Sequence, residues 1–203
     1  MNITGNTEST RERILQAAHE EIYEHGFQGF RIDALLKKTQ LAKGALYHYF
    51  PTKLALGYAV VDECIMGFFL QTWSEFLAAT KDPLIALNEF FQSKCQALQS
   101  GECFNGCPLN NLIQEMSTLD EGFHQRFQNV AKNIVMAVAT ALHQGQLDGI
   151  VRKDINPEKI AAFLLSNYQG IMGALKCMQL EQLPDLFDTL HNYIESLRVS
   201  EPR

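Results

Sequence analysis

The sequence predicts an all-α chain, and three observations carry the prediction. Apolar residues recur at helical spacing: Ile14, Ala18 and Ile22 lie four apart, and Phe123, Phe127, Val130, Ile134, Val138 and Leu142 mark one side of a longer run. No segment sustains the period-two alternation of a half-buried strand. Glycine and proline fall between the periodic runs, at Gly26, Pro51, Pro83, Gly106, Gly149 and Pro157.

The elements follow in order. Ser9 or Thr10 caps a first helix that runs to about His25, where Gly26 stops it and Phe27 folds back as an apolar lid. A short helix from Arg31 to Thr39 buries Ile32, Leu35 and Leu36, and a turn at Gln40-Leu41 leads to a third that buries Leu41, Leu46 and Phe50. Pro51 ends it and Thr52 caps a helix reaching about Ala79, roughly 27 residues or about 40 Å. Pro83 sits at the favoured first position of a helix to about Gln99. Further helices are expected from Pro108 to about Ser117, Asp120 to about Gln144, Pro157 to about Met178 and Leu183 to Leu197. The expected organisation is a three-helix head over 1–52 and a larger helical body over 53–203.

With 203 residues, 46% hydrophobic and 20% charged, the chain suits a globular protein with a substantial core. A formal charge of -6 disfavours general nucleic-acid binding, but the charge is unevenly distributed. Between Gln28 and Lys53 the basic residues Arg31, Lys37, Lys38, Lys43 and Lys53 stand against Asp33 alone, whereas the residues after Lys53 carry 10 basic and 17 acidic side chains. A small basic face on an acidic body is the pattern of a specific binder. No signal peptide is evident and no run reaches about 18 apolar residues, so a cytoplasmic chain without a membrane span is expected. The five cysteines are odd in number and are read as reduced thiols.

The segment Lys43-Gly44-Ala45-Leu46-Tyr47-His48-Tyr49-Phe50-Pro51-Thr52-Lys53 gives the clearest signal. Following a short helix and a tight turn, it outlines a helix-turn-helix whose second helix faces DNA. Lysine ammonium groups, tyrosine hydroxyls and histidine imidazole donate to phosphate oxygens, and Gly44 lets the backbone approach closely. Tyr47, His48 and Tyr49 are consecutive, so they cannot all face one core. Together with Gly26-Phe27 and the Ile32-to-Leu36 helix, this segment resembles the TetR family of bacterial transcriptional regulators. The resemblance implies a homodimer on a near-palindromic operator of double-stranded DNA, with repression relieved by a small ligand in the C-terminal domain. It also implies that Lys43, Gly44, Tyr47, His48 and Lys53 contact phosphates and that Ala45 faces bases, where it offers only a thymine-methyl contact. Tyr49 completes the DNA-facing set. The family's usual Thr or Ser is replaced at Phe30 and Arg31, which removes a hydroxyl cap and leaves Arg31 either as a phosphate or base contact or as a solvated charge.

In the body, Trp73, Phe91, Phe127, Tyr168 and Met172 are the candidate lining of an effector pocket, because aromatic and methionine side chains suit an apolar or flat ligand; ordinary core is the alternative. Ala161, Ala162, Ser166, Gly170, Gly173 and Ala174 permit close helix approach, and the resemblance makes this a dimer surface. Cys107 precedes a helix start, where helix amides favour a thiolate, and Cys103 lies four residues upstream. A thiol sensor of oxidants or electrophiles through Cys107 and Cys103 is therefore an alternative to simple packing. The Gly106-Cys107-Pro108-Leu109 stretch also looks like a recurring segment of TetR relatives that respond to drugs, flavonoids or electrophiles. No second close ligand pair accompanies these cysteines and His124, so neither metal nor cofactor is expected. Two other classes compete: an enzyme using Cys107 with His124 or His143 as base, for which no oxyanion site is visible, and a helical dimer without a DNA role, which the basic tyrosine-rich head opposes.

Overall fold

The computed structural model describes residues 9–100, 105–177 and 180–200. Ten α-helices run through them: α1 Thr10–Gly29, α2 Ile32–Thr39, α3 Lys43–Tyr49, α4 Lys53–Ala59, α5 Met66–Ala79, α6 Pro83–Gln99, α7 Pro108–Met116, α8 Glu121–Leu147, α9 Pro157–Ala174 and α10 Leu183–Glu195. Among the described residues there is no strand, only an isolated bridge between Val151 and Arg198. The all-α expectation holds. The first two turns of the expected 27-residue helix, α4, are joined to α5 by a π-helical turn, Val60–Ile65, and the whole spans Lys53–Ala79. By length and composition that helix is apolar enough to cross a membrane, with a mean hydropathy of 1.4 over 18 residues. A search for uninterrupted apolar runs misses it, because Asp62, Glu63 and Gln71 interrupt the sequence. Its buried Leu56, Val60, Val61, Ile65, Phe69 and Trp73 are those of a core helix.

Packing divides the chain into two compact units. The first holds the described residues up to Gly67 together with Asn111–Phe127, and the second holds Phe68–Asn110 with the residues from Gln128 onward. The division differs from the expected 52/53 boundary for a physical reason. Phe27 meets Phe123 edge-on at 4.8 Å, Tyr58 meets Phe123 at 5.1 Å, and Phe127 stacks on Phe123 at 5.6 Å. This ring cluster binds α4 and the start of α8 to α1. Gly57 lies so close beneath it that an added Cβ would collide with the rings of both Phe27 and Phe123.

In the first unit, α1 begins with a capping box in which the Glu12 N–H donates to Ser9 Oγ and the Ser9 N–H donates to Glu12 Oε2. Gly26, at φ 73 and ψ 168, breaks α1 where the stop was expected, and one more turn then reaches Gly29. An L-side chain there would be strained. Helix α2 ends on Gln40 at φ 58 and ψ 29, a left-handed residue that makes the tight turn into α3. Arg13 Nη2 donates to the Thr39 carbonyl at 3.0 Å and so caps α2 from α1.

Asp120 caps α8. Its Oδ1 accepts from the Tyr58 hydroxyl at 2.7 Å and from the Phe123 N–H at 2.9 Å. The Tyr58 hydrogen bond, then that from Phe123, holds the carboxyl below its ordinary pKa. Because the folded value lies below the unfolded one, the stabilisation is present above about pH 3.9 and is lost as pH falls through the folded value. Asp120→Asn is expected to cost about 1 kcal/mol at pH 7 and progressively less below about pH 4, as compared in urea melts at pH 7 and pH 3.

In the second unit, Asp82 caps α6 by accepting from the Leu84 and Ile85 N–H groups, and Pro83 occupies the first turn as expected. Helix α6 packs against α10. Arg198 ties the end of the chain to this pair, with Nη1 on Asp82 at 2.6 Å and Nε on Glu195 at 2.9 Å. Helix α9 ends at Ala174, short of the expected Met178, and turns follow it.

Candidate functional site

The head exposes its chemistry by burying a narrow apolar side. Leu35, Leu46 and Phe50 are 0%, 1% and 3% exposed, which fixes α2 and α3 against α1. Arg31, Lys37, Lys43, Gly44, Tyr47, His48 and Tyr49 are left exposed, and Ala45 is half-buried. The Lys43 ammonium stands 5.9 Å from the Tyr47 ring centre, and the His48 and Tyr49 rings meet edge-to-face at 5.1 Å. Arg31 holds the N-cap position of α2 without a side-chain cap bond, as loss of the hydroxyl predicts. Two of the five basic residues counted in this region are used internally. Lys38 reaches Glu20 at 3.0 Å and Glu21 at 3.4 Å, and the Glu20 bond raises its pKa. Lys53 donates to the Gln28 carbonyl at 3.3 Å while its ammonium lies 5.0 Å from the Phe27 ring and 5.4 Å from the Phe30 ring. Burial lowers its pKa. Lys53 is thus placed as a brace between the end of α1 and the start of α4. Arg31, Lys37 and Lys43 are the cations left facing outward.

Sequence reading missed Glu115. From α7, its carboxylate accepts from the Phe27 N–H at 2.8 Å and the Gln28 N–H at 2.7 Å, filling the gap that the Gly26 break leaves in α1. An added Cβ on Gly26 would stand 2.9 Å from Glu115 Oε2. The glycine break is visible in the sequence, but nothing marks a partner 88 residues away.

The second unit encloses a small apolar cavity of about 10 Å³, walled by Trp73 of α5, Phe90 and Phe91 of α6, Val138 of α8, and Leu164 and Tyr168 of α9. Trp73 stacks on Phe90 at 4.2 Å, and Phe90 and Phe91 both approach Tyr168. Three of the five candidate pocket residues, Trp73, Phe91 and Tyr168, meet here. Phe127 does not line the cavity, because it stacks on Phe123 in the first unit. Met172, one turn beyond Tyr168, is buried but also outside the wall. A wider cleft of about 540 Å³ opens between α6 and α10, edged by Asn88, Cys95, Asp188 and His191. Its polar, open rim offers an apolar ligand less than the enclosed cavity does.

Two family models match this chain. One, described as "Bacterial regulatory proteins, tetR family", covers residues 14–60, the helix-turn-helix and its supports. The other, "Tetracyclin repressor-like, C-terminal domain", covers residues 83–193, more than half of the chain. The chain belongs to the TetR family. It is a DNA-binding transcriptional regulator. TetR-family regulators bind operator DNA and typically act as dimers with small-molecule effectors. Similar proteins include an HTH-type transcriptional regulator in the lacX 3' region of Lactococcus lactis, 29% identical over 95% of this chain and 96% of that one. The repressor DhaR of a Mycobacterium species is 23% identical, with 89% of each chain covered. The repressor NemR of Escherichia coli is 28% identical over 68% of this chain and 69% of its own. The crystal structure of reduced E. coli NemR superposes with a TM-score of 0.80 at 21% identity, covering 95% of this chain and 98% of that one. A TetR-family regulator from Cytophaga hutchinsonii gives 0.83 at 18% identity over 98% of this chain and all of the other. These superpositions establish a TetR-like fold.

The remaining candidates lie on this TetR-like body. Ala162, Ser166 and Gly170 fall four apart along α9 and are exposed; Gly173 and Ala174 are half-buried, and Ala161 faces the core. Phe163, 46% exposed, packs on Tyr193 of α10 at 4.9 Å. Cys107 is 1% exposed and directly precedes α7, while Cys103 lies outside the described residues. Burial pushes the Cys64 thiol up to about 11.

Proposed function

We propose that this TetR-family protein is a repressor that pairs through α9 and α10, sets two α3 helices into successive major grooves of a near-palindromic operator, and lets go when a small apolar ligand enters the α5–α6–α8–α9 cavity. The observation that carries the reading is the α3 face: Lys43, Tyr47, His48 and Tyr49 stand outward on a helix anchored by Leu46 and Phe50. The exposed Ala162, Ser166 and Gly170 with Phe163 beside them support pairing of α9. Ligand binding shifts the equilibrium only if the cavity differs between DNA-bound and free forms. An aromatic-walled space too small for a ligand until its walls part supports such a difference. The reading assigns no catalytic step.

A second reading keeps the repressor and moves the trigger to Cys107. The thiol stands at one end of α7, and Glu115, near the other end, holds the Phe27 and Gln28 N–H groups. Its burial opposes rapid modification.

The test is binding to DNA flanking the protein's own gene, with and without aromatic drugs, quinones and aldehydes. Specific binding released by a compound that washes out is the expected result. Release reversed only by a thiol reductant transfers the trigger to Cys107, and the absence of specific binding at low salt to any such DNA rejects a locally acting repressor.

A further inference from the structure

The indole N–H of Trp73 is the feature that the regulator reading leaves unexplained. Trp73 is 6% exposed, and its Nε1 is buried with no hydrogen-bond partner among the described residues. Buried indole N–H groups normally find an acceptor, since leaving a donor unpaired in an apolar site forfeits its hydration without return. The cavity beside the ring, about 10 Å³, is at the lower limit for one water molecule. Apart from Trp73 and Tyr168 the wall is aliphatic or phenyl, so a water there would have no side-chain partners beyond these two, the minimum that holds one. The stacked Phe90 ring covers one face of the indole.

We propose that the effector carries a neutral hydrogen-bond acceptor on a compact aromatic or alicyclic body, and that this acceptor pairs with the Trp73 Nε1–H once the ligand has parted the cavity walls. The inference rests on the cavity being the effector site. It is directional, because an indole donates and never accepts, so a carbonyl, ester or ether oxygen fits and a hydroxyl acting only as donor does not. The acceptor is neutral because no Lys, Arg or His lines the cavity, and an unpaired carboxylate would be desolvated at great cost. The body is apolar because Phe69, Phe90, Phe91, Ile134, Val138 and Leu164 surround it. A ligand of this class removes an unpaired donor that the empty protein must tolerate. It therefore favours the opened cavity over the closed one by more than its apolar contacts alone supply.

The experiment uses the full chain and two probes that share a carbon skeleton, 1-indanone and indane, of which only the first carries a carbonyl. Trp73 is the single tryptophan of the chain, so its fluorescence reports binding at this position without labelling. Calorimetry on wild type and Trp73→Phe gives the affinities of both probes. Phenylalanine leaves a ring against Phe90 and removes the donor together with part of the indole's volume, a change in space that acts on both probes alike, so the ratio of their affinities is the readout; a thermal melt checks that the variant folds. The expected result is 1-indanone binding wild type at least about tenfold tighter than indane, with the ratio falling close to one in Trp73→Phe. Equal affinities in wild type, or a preference that survives Trp73→Phe, overturns the acceptor pairing while leaving the cavity as the effector site. Failure of both probes to bind saturably and to perturb Trp73 fluorescence, in protein that still binds its operator, overturns the cavity assignment and the pairing together. A separate variant, Val138→Met, narrows the cavity without touching the indole. It should weaken both probes alike; unchanged affinities for both would place their site elsewhere.

Discussion

Replacing Glu115 with alanine is expected to lower the stability of the chain by about 2–3 kcal/mol and to weaken operator binding on the order of tenfold, although Glu115 lies outside the helix-turn-helix. The carboxylate accepts two backbone N–H groups, those of Phe27 and Gln28, at 2.8 and 2.7 Å. Hydrogen bonds to a charged acceptor are the stronger kind, and the half-buried Phe27 N–H has no substitute when the carboxylate is removed. For a chain of this size the loss appears as a melting temperature lower by about 5–10 °C. The DNA effect follows from position: the segment Gly26–Gly29 leads directly into Arg31 and α2, so its release loosens the orientation of the outward face. Glu115→Gln retains one acceptor oxygen and should fall about halfway in both measurements. A Glu115→Ala protein that melts within about 1 °C of wild type would show that these bonds carry no net energy.

The second large effect concerns which lysines meet DNA. Lys43→Ala combined with Tyr47→Ala is expected to cost about a hundredfold or more in operator affinity at about 0.15 M salt, because both side chains stand free of the core on α3. Lys43→Ala alone should reduce the slope of log K against log salt by about one, the signature of one lost phosphate contact. Lys53→Ala should leave that slope nearly unchanged and lower the melting temperature instead. Its ammonium is spent on the Gln28 carbonyl and the rings of Phe27 and Phe30. If Lys53→Ala flattens the slope as much as Lys43→Ala, the brace assignment fails and Lys53 is a phosphate contact.

The two lysines mark the boundary between what the sequence reveals and what it conceals. Helix starts were legible because their signals act locally: Ser9 and Thr52 each accept from a first-turn donor a few residues away, and Pro83 stands in the first turn of α6. The outward position of Tyr47, His48 and Tyr49 was legible because three consecutive helical residues cannot share one side. Which cations remain free was not, since Lys38 is engaged by Glu20 and Glu21 on another helix, and Lys53 by a carbonyl 25 residues back. Phe127 shows the same limit inside the body. Its helical period places it on the buried side of α8, one turn from Phe123, but that this turn of α8 packs with Phe27 and Tyr58 rather than lining the Trp73 cavity depends on long-range packing that periodicity does not encode. The π-helical turn Val60–Ile65 has no local marker at all: no proline or glycine signals it, and the apolar pattern continues through it.

The sparse outward charge has a consequence for how the regulator spends its time in a cell. On the proposed reading, Arg31, Lys37 and Lys43 are the cations that the region from Gln28 to Lys53 turns toward the phosphate backbone, and the residues after Lys53 are net acidic. Attachment to arbitrary sequence draws almost wholly on such cations, so its strength falls with their number. A chromosome presents millions of these competing positions, and a strongly basic regulator is held on them like ink on blotting paper. With so few outward cations, this protein is expected to be held there weakly. Most copies would then remain free to search, and fewer molecules would be needed to keep the rare correct site filled.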